Sequence, residues 1–260
     1  MNTSNLIWLG FVASLLAGLG TGLGASGVFF VCRLSPRLED ALLSIAAGIM
    51  LAATFFSLLL PAIEYGEAIH GGRVASVAVV ITGLLAGGIA LQLVHRFVPH
   101  EHFVLGREGP EADALSRIWL FIIAITLHNF PEGMAVGTGF AGGDIENGIA
   151  LATGIGTQNI PEGLAVAVSL LAVGYTRWQS FAVGALTGLA EPVGGLFGSA
   201  AVAVAGPLMP WTLGFAAGAM LFIISDEIIP ETHRRGYETL ATFSLMGGFA
   251  VMMFLDATLG

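Results

Sequence analysis

Two stretches of the chain repeat one arrangement of polar groups inside apolar surroundings. The first runs His128-Asn129-Phe130-Pro131-Glu132-Gly133 and the second Gln158-Asn159-Ile160-Pro161-Glu162-Gly163, an offset of 30 residues, 158 against 128. In a helix, residues four apart share a face, so His128 lies over Glu132 and Gln158 over Glu162. If the two faces meet, one imidazole, two carboxylates and an amide oxygen converge. That donor set suits zinc, iron and similar divalent ions. Each stretch has a proline three residues after its first donor. Pro131 cannot donate to the carbonyl of Leu127, nor Pro161 to that of Thr157, and the ring kinks the helix there. A carbonyl freed at membrane depth persists only where another group, water or an ion satisfies it. A third carboxylate, Glu191, stands alone in an otherwise uncharged run from Gly184 to Gly206. It is expected to face the same site or an adjacent proton or ion position. Asn, Gln and His also hold membrane helices together without any ion. That explains one such residue, but not three carboxylates and an imidazole at repeated spacing.

The elements that carry these residues follow from composition. The chain has 260 residues, of which 55% are hydrophobic and 10% charged, with a mean hydropathy of +0.86. Soluble domains carry roughly 25% charged residues, so this is an all-α membrane protein, read as one transmembrane domain over 1–260. About 20 apolar residues cross the hydrocarbon core, and the breaks between apolar runs predict eight transmembrane helices near 5–32, 39–63, 73–97, 117–140, 147–173, 178–205, 209–230 and 239–259. The first run is long and has no basic stretch before it, so it reads as a span rather than a cleaved signal. The 37 glycines predict close helix packing. A single cysteine, Cys32, leaves no internal disulfide and no Cys-rich zinc site. The net charge of −9 argues against a nucleic-acid partner.

All nine basic residues are arginines. Eight fall between spans on one side, and only Arg73 falls on the other. The positive-inside rule makes the crowded side cytoplasmic, so both termini are expected outside. Ser57, Glu64 and Asp256 then stand toward the outer mouth. On the inner side stand His95, Asp226, Glu227 and Glu231, with His100 and His102 in the one long loop, 98–116. Leu60-Pro61 and Ile229-Pro230 lie near the ends of the second and seventh spans, which hints at inverted repeats of three helices around a central pair.

His128-Asn129-x-Pro131-Glu132-Gly133 and x-Asn159-x-Pro161-Glu162-Gly163 resemble the signature of the ZIP (Zrt/Irt-like) divalent-metal transporters. The length, the span number and the histidine-bearing loop agree over essentially the whole chain, which is most similar to the prokaryotic GufA-like branch. The resemblance implies that helices 1–3 and 6–8 are inverted repeats around helices 4 and 5. It implies uptake of Zn2+ toward the cytoplasm of a bacterium across its inner membrane, with Cd2+, Fe2+ and Mn2+ as competing ions. Position by position, it implies a primary site of His128, Glu132, Gln158 and Glu162. A neighbouring site would use Asn129, Asn159, Glu162 and Glu191. Many relatives have His in place of Gln158, and some two-metal members have Asp in place of Asn159. The implied partners are divalent ions and a lipid bilayer, with a homodimer left open.

Two other classes would make different demands on the chain. An intramembrane metal-dependent hydrolase needs a metal-held water and a general base, and no His-Glu-x-x-His is present. A metal sensor would bind tightly without flux. The absence of an ATP-binding motif points to transport driven by gradients.

Overall fold

The computed structural model describes residues 3–31, 33–97, 100–102, 106–108, 117–141, 143–172, 174–204 and 206–259. Among them, eight long helices stand where the eight apolar runs predict them. We number them α1 (Thr3–Ser26), α2 (Pro36–His70), α3 (Arg73–Phe97), α4 (Arg117–Ala141), α5 (Ile145–Ala172), α6 (177–204), α7 (Gly206–Thr232) and α8 (Glu238–Leu259). Six of these rods, all but α4 and α5, are both long and apolar enough to cross a membrane. The exceptions carry the polar stretches. At 25 and 28 residues and 1.5 Å per residue, their length also suffices for a hydrocarbon core about 30 Å thick. The long loop contributes a short antiparallel ribbon, β1 (His100–His102) on β2 (Gly106–Glu108). Its remaining residues, with Pro99, Glu111 and Asp113 among them, lie outside the described residues, as does Cys32.

Local chemistry sets the helix ends. Ser35 caps α2 by accepting from the Leu38 N–H, with Pro36 in the first turn, where its missing N–H costs nothing. Thr176 and Gln179 form a reciprocal capping box at the start of α6. α2 runs to His70, further than the apolar pattern suggests, because its last two turns are polar and amphipathic. It stops at Gly71, whose φ of 72° closes the helix by donating to the Glu67 carbonyl.

The helices pack in pairs along small-residue seams: α4 on α6, α1 on α5, α3 on α7 and α2 on α8. A Cβ on Gly133 or Gly137 would run into the backbone at Glu191 or Gly195. In the α3–α7 seam, Gly83 and Gly87 likewise face the backbone at Trp211 and Phe215. Without water to drive association, such close approach supplies the packing energy between membrane helices. α2 also lies against α5, and α7 against α4, which closes the bundle. Its core includes the fully buried Met50, Met134, Phe140, Leu151, Ile155, Leu213 and Met220.

α2 and α7 share an interruption. Each contains a π-helical segment, Thr54–Leu59 in α2 and Ile224–Ile228 in α7, with a proline two residues beyond it, Pro61 and Pro230. Such segments are frequent at functional sites.

Candidate metal site

Both α4 and α5 continue as helices through Pro131 and Pro161. The prolines therefore leave the carbonyls of Leu127 and Thr157 without their usual helical donors, just where the polar side chains cluster. Glu132 and Gln158 are fully buried and in direct contact: Gln158 Nε2 donates to Glu132 Oε1 at 2.7 Å and to Asn159 Oδ1 at 3.0 Å. Asn159 Nδ2 donates to Glu191 Oε1 at 2.7 Å and to the Ala17 carbonyl of α1 at 2.9 Å. Glu162 lies within electrostatic reach of Glu132 and Glu191. Four helices thus deliver polar groups to one buried centre.

His128 lies within electrostatic reach of Glu132, as spacing suggests, and also takes a partner that spacing does not. Its Nε2 stands 2.6 Å from Glu227 Oε2, and the other oxygen of Glu227 stands 3.0 Å from His95 Nε2. Asp226 Oδ2 lies 3.9 Å from His95 Nδ1, and the edge of the His95 ring meets Phe222. The candidate centre and His95, Asp226 and Glu227, the residues expected toward the inner side, are therefore continuous through His128. Sequence spacing relates residues only within one helix, so it could not place α7 against His128.

Several buried oxygens of the centre make no hydrogen bond among the described residues: Glu132 Oε2, Gln158 Oε1, Asn129 Oδ1 and Glu191 Oε2. Buried polar atoms are seldom left unmatched. Orphans that are nearly all acceptors, carboxylate oxygens among them, call for a cation rather than another acceptor. Among the described residues, no three or more His, Cys, Asp or Glu side chains are spaced to enclose a metal ion as they lie. The reason is local. Amide N–H groups of Gln158 and Asn159 sit on Glu132 and Glu191, so a cation entering here must displace those bonds and turn the amide oxygens inward.

The other expected positions divide. Ser57 and Asp256 meet, with Ser57 Oγ donating to Asp256 Oδ1 at 2.7 Å. Glu64 is exposed further along α2. Glu231 pairs with Arg235 at 3.7 Å, and Arg235 also reaches Glu39 at 3.0 Å and Asp40 at 3.4 Å. Burial opposes the charge on Arg235, but these three carboxylates outweigh it and raise the guanidinium pKa further. Charge patterning along the chain did not single out Glu39, Asp40 or Arg235, because they lie far apart in sequence. His100 and His102 lie in β1, and their side chains lie outside the described residues.

The family model described as "ZIP Zinc transporter" matches residues 100–256. This chain belongs to the ZIP zinc transporter family. Within the family it falls with the GufA-like branch. It is 46% identical over 253 residues to the zinc transporter GufA of Myxococcus xanthus, covering 96% of this chain and 99% of that one. It is 48% identical over 243 residues to the zinc transporter ZIPB of Bordetella bronchiseptica, covering 92% and 78%. The human zinc transporter ZIP11 is 33% identical over 321 aligned positions, covering 92% and 94%. In this ZIP chain the second signature helix, α5, carries Gln158 and Asn159, and the amides of both bind carboxylates of the centre.

Proposed function

We propose that this chain carries zinc, with Cd2+, Fe2+ and Mn2+ as competing ions, across the bacterial inner membrane toward the cytoplasm. The observation that carries the reading is the set of buried, unmatched oxygens on Glu132, Gln158, Asn129 and Glu191 beside His128. A divalent ion supplies what those oxygens lack. The primary ligands are His128, Glu132, Gln158 and Glu162, and Asn129, Asn159 and Glu191 line a neighbouring position. Ions enter past Ser57 and Asp256, with Glu64 at the surface, and leave past His95, Asp226, Glu227 and Glu231 toward His100 and His102.

The arrangement is a single domain of eight transmembrane spans, with both termini outside and the 98–116 loop inside. Helices α1–α3 and α6–α8 form inverted repeats around α4 and α5. The packing partners support this: exchanging α1 with α6, α2 with α7, α3 with α8 and α4 with α5 turns each tight pair into another tight pair or itself. The π segments of α2 and α7 exchange in the same way. The protein works in a lipid bilayer, as a monomer or a homodimer, with no part for nucleic acid.

Purified protein in proteoliposomes tests the reading. A panel of divalent ions, with and without a pH gradient, is expected to show zinc flux at a rate that His128→Ala removes. Tight zinc binding without flux would instead mark a sensor.

A further inference from the structure

We propose that Asn147 is a positioning residue that latches the outer mouth shut, by binding a carbonyl that Pro61 cannot serve. The carbonyl is that of Ser57. In an uninterrupted helix its donor would be the N–H of residue 61, and proline has none. Asn147 Nδ2, from the first turn of α5, donates to that oxygen at 3.1 Å. Asn147 and Ser57 are both buried. The same Ser57 holds Asp256 of α8 through its hydroxyl. Asp144, just before α5, accepts from the Asn147 N–H at 3.1 Å and from the Tyr65 hydroxyl of α2 at 3.0 Å. Two groups of α2 therefore grip the start of α5.

The grip crosses the natural boundary for motion. α1, α4, α5 and α6 lock to one another by close packing, as do α2 with α8 and α3 with α7. Contact between these sets rests on side chains, which exchange partners more readily than a backbone seam separates. Beneath the latch the core is apolar: Met50, Ala53, Leu151 and Ile155 are all buried. While Asn147 holds Ser57, these apolar side chains stay packed against one another, and releasing it frees the outer end of α5 to swing away from α2.

The proposal rests on the transport reading for what "outer" means, but its test does not require transport. In a Cys32→Ser background, Ala53→Cys reports on the outer core. Ser169→Cys reports on the inner cavity lined by Arg33, Leu34, Glu39 and Val168. Sealed vesicles of known orientation are treated with a membrane-impermeant thiol reagent on either side. Asn147→Ala is expected to raise outside labelling of Ala53→Cys about tenfold, the size expected for losing one buried hydrogen bond, and to lower inside labelling of Ser169→Cys. Tyr65→Phe should shift both readings the same way by a smaller factor. A rise at both positions would mean general loosening and would overturn the latch, as would no change at either. If Asn147→Ala yields no folded protein, Tyr65→Phe decides by the same pair of readings. Absence of zinc flux in the parent would defeat the functional reading alone, since labelling is measured without zinc.

Discussion

At the scale of single residues, the centre is defined by acceptors that lack donors. Removing one donor atom from such a set leaves the rest uncompensated in a poorly solvated place. His128→Ala and Glu162→Ala are each expected to cut zinc uptake by roughly tenfold or more at unchanged surface expression. Near-parental uptake in both variants would remove the ligand assignment. The two amides have a further effect on charge. Glu132, Glu162 and Glu191 offer three negative charges, too few for two divalent ions, and Asn159 donates an amide hydrogen to Glu191 where a second ion would sit. One tightly held ion is the expected stoichiometry. Asn159→Asp exchanges a donor for a fourth carboxylate, so it should raise occupancy of the neighbouring position, read by elemental analysis or anomalous diffraction. Two full ions in the parent would contradict the charge count. The residue types were legible in the sequence, because an imidazole and carboxylates at repeated four-residue spacing have few other uses. The direction of the amides was not, since one Asn side chain offers both donors and an acceptor, and only its neighbours decide which it uses.

At the scale of elements, the seams make a sharper test than the core does. Gly137→Ala drives a methyl into the backbone at Gly195, and is expected to cost roughly 1–3 kcal/mol, seen as a lowered melting temperature in detergent. Gly247→Ala, where a methyl meets open space, should be neutral or slightly stabilising. The eight apolar runs were readable because a hydrocarbon core leaves a long, nearly uncharged imprint on a helix. The seventh run, read as 209–230, meets a helix that continues to Thr232. The second, read as 39–63, falls short of His70 because Glu64 and Glu67 look like a break, although the helix continues into them. The π segments left no imprint: Thr54-Phe55-Phe56-Ser57 and Ile224-Ser225-Asp226-Glu227 have nothing in their composition that separates them from regular helix.

At the scale of the whole molecule, eight of the nine arginines fall on one side of the expected topology. Epitope tags at either terminus should be reachable from outside intact cells, and a tag within 98–116 only after permeabilisation. The reverse pattern would invert the direction of transport proposed here. Sequence could suggest that α2 and α7 correspond, from their shared proline. It could not suggest that Glu227 of α7 reaches His128 of α4, because helix adjacency is set by which glycine seams fit, not by order along the chain.

The π segment of α2 has a consequence for alignment and for engineering. One surplus residue in a helix advances the azimuth of everything beyond it by about 100°. Seven residues apart, Ser57 and Glu64 would share a face in a regular helix; here Ser57 is buried and Glu64 exposed. The count of residues between Met50 and Tyr65 therefore works as a phase setting, independent of which residues they are. Deleting Phe55, whose side chain is 47% exposed, removes little packing yet should rewind the ladder and rotate Tyr65 off Asp144. Hydrogen exchange at the start of α5 is expected to quicken in that deletion, and to stay slow in Phe55→Ala, which loses the ring but keeps the count.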